Sequence, residues 1–211
     1  MKSILCYGDS NTFGTAPMQY LDDARRFGPG DRWAGVLRLA LGAEWWLVEE
    51  GLPGRTTVHD DPIEGANRNG FTYLSACLES HWPLDLVVIM LGTNDLKARF
   101  ALPPQDIAFG AGRLVETVEA TLRPYKQSPK VMLVCPPPIL ETGCLAEMFG
   151  GGAAKSKELP RHYKAVAKRL GAHFLDAGSV IASSEVDGIH LDIPAHQLLG
   201  HAVAKAIHAL Y

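Results

Sequence analysis

The sequence predicts a doubly wound, three-layer α/β/α domain on a five-stranded parallel sheet. Three observations carry that expectation. Five apolar runs have strand length, helical segments fall between them, and hydrophobicity within the runs is continuous rather than alternating. Continuous runs belong to strands covered on both faces, as in parallel sheets, and regular β-α alternation requires crossover helices.

The predicted strands are Ser3–Tyr7, Trp45–Val48, Leu86–Leu91, Val131–Cys135 and His173–Leu175. Helical segments are expected over Trp33–Leu41, Phe71–His81, Gln105–Leu122, Lys157–Leu170 and Pro194–Leu210. Pro194 fits a first helical turn and Gly171 a helix stop. The 211 residues form one expected domain, 1–211, with no linker or repeat. The long connection from Pro136 to Lys155 reads as a loop or lid.

Composition narrows the partners. With 47% hydrophobic residues, 20% charged residues and a formal charge of −3, the chain offers no basic surface for nucleic acid or anionic lipid. No apolar run reaches membrane-spanning length. The four cysteines lack CxxC spacing, and Cys6 and Cys135 fall in predicted core strands, so no disulfide framework is expected. The opening MKSILCY is too short for a secretory core and runs straight into a chemistry-bearing turn, which points to a cytoplasmic protein.

Ligands of such sheets bind beyond the carboxyl ends of the strands. Four of the five strand ends carry unusual residues: Gly8-Asp9-Ser10-Asn11, then Gly51-Leu52-Pro53-Gly54-Arg55, Gly92-Thr93-Asn94-Asp95, and Asp187-Gly188-Ile189-His190. A serine hydroxyl becomes a nucleophile when an imidazole removes its proton and a third group orients the imidazole. Ser10 is the candidate nucleophile, although Gly-Asp-Ser alone reads equally as a turn and cap. His190 is the candidate base, with Asp187 three positions upstream placed to fold back onto it. His59 and His196 are rivals near strand-end loops, each without an acid at that upstream spacing. Asn94 can donate its amide to a developing oxyanion, and the Pro-Gly turn can present the Gly54 N–H. Arg55 either contacts substrate or braces loops through an ion pair with Asp9 or Asp95. No GxSxG, dinucleotide fingerprint, P-loop, HExxH or Cys/His cluster occurs, so neither metal nor cofactor is expected.

Taken together and in this order, YGDSN, the glycine of GLPGRTT, GTND and DGIH resemble the blocks of the SGNH hydrolase (GDSL esterase/lipase) superfamily. The stretches DDP, LDLVVIMLGTNDLKA, CPPP and FLDAGSVI resemble its small bacterial arylesterase and acyltransferase branch. The resemblance implies a flavodoxin-like fold. It implies Ser10, His190 and Asp187 as catalytic residues, with an oxyanion hole from the Ser10 N–H, the Gly54 N–H and the Asn94 side chain. Asn11 stands where the superfamily often has leucine, and Thr15 lies in a loop that carries a bulkier residue in relatives, so Asn11, Thr15 and Arg55 are candidate substrate contacts. The implied activity is hydrolysis of short-chain carboxylic esters, aryl acetates or acetylated carbohydrates, through an acyl-serine, with transfer to alcohols as a variant. A thioesterase or lysophospholipase of the same superfamily is the alternative, and a non-catalytic binding module is the alternative from another class. Relatives in this branch imply a homo-oligomer, tetramer or octamer. Its interface is expected to include the Pro136–Lys155 connection.

Overall fold

The computed structural model describes all residues from Met1 to Tyr211. Five strands, β1 (Lys2–Gly8), β2 (Trp45–Gly51), β3 (Leu86–Met90), β4 (Lys130–Cys135) and β5 (His173–Asp176), form one sheet in the order β2-β1-β3-β4-β5. Every pairing is parallel. The helices are α1 (Ser10–Phe13), α2 (Trp33–Leu41), α3 (Gly70–His81), α4 (Pro104–Leu122), α5 (Gly152–Ser156), α6 (Leu159–Leu170) and α7 (Ile193–His208).

Side-chain spacing explains the layers. In α2, Trp33, Leu37 and Leu41 recur every four residues, as do Leu199, Val203 and Ile207 in α7, and all six are buried. These two helices pack with Ile4, Cys6, Val88 and Val134 on one sheet face. Leu74 of α3, Ile107 and Leu114 of α4, and Tyr163 of α6 cover Leu5, Tyr7, Val87, Ile89 and Leu133 on the other. Adjacent strand residues thus feed opposite cores, which is why the runs read as continuously apolar. Asp192 caps α7 through the Ala195 N–H at 2.9 Å, and Gly171 ends α6 in the left-handed region.

Two expectations need adjustment. Trp45 is buried but Trp46 is 60% exposed. Trp46 shares its face with Val48 on β2, an edge strand, so two-sided coverage fails at the sheet margin. The Pro136–Lys155 connection is not a loose lid. It contains a 3-10 turn at Gly143–Leu145 and runs into α5, and Ile139, Leu145 and Phe149 are buried in the core. The Leu140 N–H donates to Gly188 O at 2.9 Å, tying the connection to the DGIH turn.

The strand order reverses at β1, whose neighbours β2 and β3 carry the chain in opposite directions. The crevice beyond the carboxyl ends of β1 and β3 is where this topology places a ligand.

Candidate active site

A cavity of about 440 Å³ opens at that crevice, with Ser10, Gly54, Asn94 and His190 all in its wall. Thr15, Phe13, Met18 and Ile189 add to it, and Leu145, Met148 and Phe149 of the 136–155 connection give it an apolar side.

Ser10 begins α1 directly after β1. The Asp9 carboxylate caps the turn by accepting the Asn11 N–H at 3.0 Å. In this first turn the Ser10 N–H has no intrahelical acceptor, which leaves it available to a ligand. Gly54 lies in a turn where Leu52 N–H donates to Gly8 O and Arg55 N–H to Leu52 O, each at 3.1 Å. Its φ of 77° is in the left-handed region, reserved in practice for glycine. The Asn94 amide donates to the Arg55 carbonyl at 3.1 Å, and Asp9 Oδ2 lies 3.5 Å from the same nitrogen. The amide is therefore anchored firmly by Arg55 and weakly by Asp9, and the group is fixed at the cavity wall.

Asp187 and His190 meet within one turn. His190 Nδ1 lies 2.6 Å from Asp187 Oδ2, so Nε2 is the ring nitrogen left for the cavity. The carboxylate also accepts the N–H groups of Met18 (2.6 Å), Ile189 (3.0 Å) and His190 (2.9 Å). Gly188, with φ of 77°, makes so tight a return possible. Burial works to raise the Asp187 pKa. The bond and charge of His190 and the backbone donors outweigh it and hold the carboxyl below its ordinary value.

The rival histidines stand elsewhere. His59 packs near Phe100, with ring centroids 6.0 Å apart. His196 Nδ1 accepts the Trp33 N–H at 3.3 Å inside the α2–α7 layer, and burial pushes its pKa down to about 4.

Thr15 reaches the cavity, whereas Asn11 and Arg55 do not line it. Asn11 is a clamp: its Nδ2 donates to Ile189 O and its Oδ1 accepts the Leu191 N–H, both at 3.1 Å, so it grips the backbone on either side of His190. Arg55 makes no ion pair with Asp9 or Asp95. Its guanidinium donates to Gly8 O (2.9 Å) and Glu50 O (2.5 Å) and stacks 4.2 Å over the Tyr7 ring. Backbone carbonyls at the ends of β1 and β2 supply the acceptors that a carboxylate was expected to provide. Asp95 instead takes the N–H and hydroxyl of Thr57 at 2.9 and 2.5 Å, and burial raises its pKa.

Sequence reasoning passed over Asp23, Arg25, Glu64 and Lys97, all of which line the cavity. Their signal was weak because charged residues in loops read as solvated surface. It also passed over Glu50, Cys77 and His81, whose ligand-type atoms lie within 4.8 Å of one another. Here His81 Nε2 and Glu50 Oε1 pair at 3.1 Å, and burial pushes the Cys77 thiol up to about 12. The trio is accounted for as a hydrogen-bonded His81–Glu50 pair beside a protonated thiol.

Asp9 has a measurable consequence. Burial raises its carboxyl from 3.8 to about 6, against the Asn11 N–H and the His190 and Arg55 charges. The folded state thus holds a proton that the unfolded chain releases near 3.8, so stability falls as pH rises from about 4 to 6. An elevation of this size corresponds to about 3 kcal/mol. Asp9→Asn removes the titration. The unfolding free energy of the variant minus that of the wild type is expected to rise by up to about 3 kcal/mol between pH 4 and pH 8. Urea unfolding at the two pH values measures it, and a flat difference contradicts the assignment.

Comparison with known proteins identifies the family. Residues 6–198 match the GDSL-like lipase/acylhydrolase family. No curated protein matches at a significant level. Among solved structures, an aryl esterase of M. smegmatis is 44% identical with a TM-score of 0.96, both chains being covered in full. A carbohydrate acetylesterase from Sinorhizobium meliloti is 43% identical, also with a TM-score of 0.96 and full coverage of both chains. A putative arylesterase from Agrobacterium tumefaciens is 38% identical with a TM-score of 0.90, again over both full lengths. The four blocks at one sheet edge and a match from residue 6 to residue 198 lead to one conclusion: the chain belongs to the GDSL-like lipase/acylhydrolase family.

Proposed function

We propose that Ser10 is the nucleophile through which this ester hydrolase cleaves short-chain carboxylic esters. The observation that carries the reading is the 2.6 Å contact between His190 Nδ1 and buried Asp187, in a cavity whose wall also holds Ser10, Gly54 and Asn94. Asp187 fixes the tautomer in which Nε2 accepts the Ser10 proton. The Ser10 oxygen attacks the ester carbonyl. The negative charge that develops there falls to the Ser10 N–H, the Gly54 N–H and the Asn94 side-chain amide, whose long 3.5 Å contact with Asp9 is the one exchanged for the oxyanion. Collapse expels the alcohol, protonated by His190, and leaves an acyl-serine. His190 then takes a proton from water and the cycle reverses to release the acid.

The cavity size suits a small ester, and its apolar side, formed by Leu145, Met148 and Phe149, suits a short acyl chain. Transfer to an alcohol in place of water uses the same acyl-serine and belongs to the same proposal. So does association into a tetramer or octamer. Its support is the exposed Tyr20, Leu21, Leu140 and Val186, of which Leu21 also lines the cavity. A reducing, cytoplasmic location is supported by four free cysteines, three of them buried. No helix is long and apolar enough to cross a membrane.

A fluorophosphonate probe is expected to label Ser10 covalently, and an acyl-length series of p-nitrophenyl esters to peak between acetyl and butyryl. Peptide mapping and initial rates measure the two. An unlabelled protein points to a binding module, and a maximum at long chains points to a thioesterase or lysophospholipase.

A further inference from the structure

Ser10 and His190 ride on parts of the chain that the sheet does not hold together. Ser10 follows β1, whereas the turn carrying His190 follows β5, and β3 and β4 lie between those strands. At ~4.8 Å per strand spacing, β1 and β5 stand roughly 14 Å apart. The chain has to run back across the sheet edge to bring the imidazole to the serine. A general base works only within hydrogen-bond reach of the proton it takes, so a contact must fix where the returning turn stops.

The turn keeps its own shape by contacts within itself. Asp187 accepts from the Ile189 and His190 N–H groups and from the imidazole. The Gly188 N–H donates to Ser184 O at 2.8 Å, and the Ser184 N–H to His190 O at 2.9 Å. None of these bonds reaches the nucleophile. The residue beside Ser10 does. Asn11 is 2% exposed, and its amide meets the two backbone groups that flank His190. Its Nδ2 donates to the Ile189 carbonyl and its Oδ1 accepts the Leu191 N–H, so a shift of the turn breaks at least one of the two bonds. The Asn11 backbone is anchored in its turn, because its N–H donates to Asp9 Oδ1 at 3.0 Å. The outside contacts from Met18 and Leu140 hold Asp187 and Gly188 rather than the residues on either side of the base. Asn11 has no place in the cavity wall, so substrate does not touch it.

We propose that Asn11 is a positioning residue: it sets the distance between the Ser10 hydroxyl and His190 Nε2 without touching substrate. This role rests on the esterase reading and deepens it. Asn11→Ala is expected to lower kcat for p-nitrophenyl acetate by roughly 10- to 100-fold, since a displacement of about 1 Å at reacting groups costs on the order of a hundredfold. Acylation and deacylation both pass through His190 Nε2, so kcat falls while KM stays within about twofold. The acid limb of the kcat/KM profile should keep its midpoint, because Asp187 and His190 move together as one turn. A change that unravelled the turn would part His190 from Asp187 and shift that limb. Asn11→Ser leaves space for a water to bridge the two backbone groups, so it is expected to fold even where alanine fails and to show the same split. Urea melts on both variants accompany the kinetics. A folded variant with kcat within about twofold of wild type overturns the proposal. So does a loss of kcat that comes with a shifted acid limb or a raised KM, and so does loss of the fold in both variants, since each makes Asn11 a structural residue alone. A wild type inactive on p-nitrophenyl acetate overturns the esterase reading instead.

Discussion

Ser10→Ala is expected to lower turnover of p-nitrophenyl acetate by roughly 10⁴- to 10⁶-fold while leaving the fold intact. The size follows from what remains. Without the Oγ there is no acyl-enzyme, and only binding and the oxyanion donors act on a water-driven reaction. The structural cost is small because Ser10 Oγ makes no hydrogen bond to the protein, so no partner is left unsatisfied when it is removed. The cap of α1 comes from Asp9, whose contact with the Asn11 N–H is unaffected. Alanine also suits a helical position better than serine. The variant should therefore unfold within about 0.5 kcal/mol of wild type. Initial rates and a urea melt on the same preparation separate the two effects. A variant retaining a tenth of wild-type activity would remove Ser10 from the mechanism, and a collapsed melt would make the rate uninformative about chemistry.

The sheet and the dyad were legible in the sequence because their determinants are local. Buried strands announce themselves as unbroken apolar runs, and Asp187 and His190 lie three residues apart with a glycine between them. Side chains whose partners are distant or lack side-chain identity were not legible. Asn11 is a candidate substrate contact by standing where the superfamily often has leucine, yet its partners are the backbone at Ile189 and Leu191. Arg55 invited a carboxylate partner, but carbonyls at Gly8 and Glu50 leave no mark in sequence. Nothing in the sequence shows that Lys97, Asp61 and Glu64 meet. Only folding brings residues 61, 64 and 97 together and shows Lys97 to be 2% exposed. Trp46 is exposed for a related reason, since edge or central position in a sheet depends on strand order rather than on the strand itself.

Asp187→Asn is expected to cost about 10⁴-fold in kcat, although it changes one oxygen to a nitrogen. The carboxylate receives four hydrogen bonds, two at each oxygen. An amide placed with its oxygen toward Ile189 and His190 N–H preserves that turn. Its NH₂ then faces Met18 N–H and His190 Nδ1, two positions that required an acceptor. To satisfy the new donor, His190 must present Nδ1 without a proton, which moves the proton to Nε2. A protonated Nε2 cannot take the hydroxyl proton of Ser10, so the base is lost while its ring stays in place. The Met18 N–H is left without its acceptor, and Met18 lines the cavity, so KM is expected to rise as well. Acid stability should change in the same variant. The depressed pKa of Asp187 contributes stability that is present above the ordinary carboxylate range and lost as pH falls through the folded-state value. Asp187→Asn should therefore be destabilised at pH 7 and converge on wild type in acid. Steady-state kinetics at pH 7 to 8 together with melts across pH 3 to 7 test both halves. A loss of kcat smaller than tenfold would show that His190 keeps its tautomer without the carboxylate and that Asp187 serves only to hold the turn.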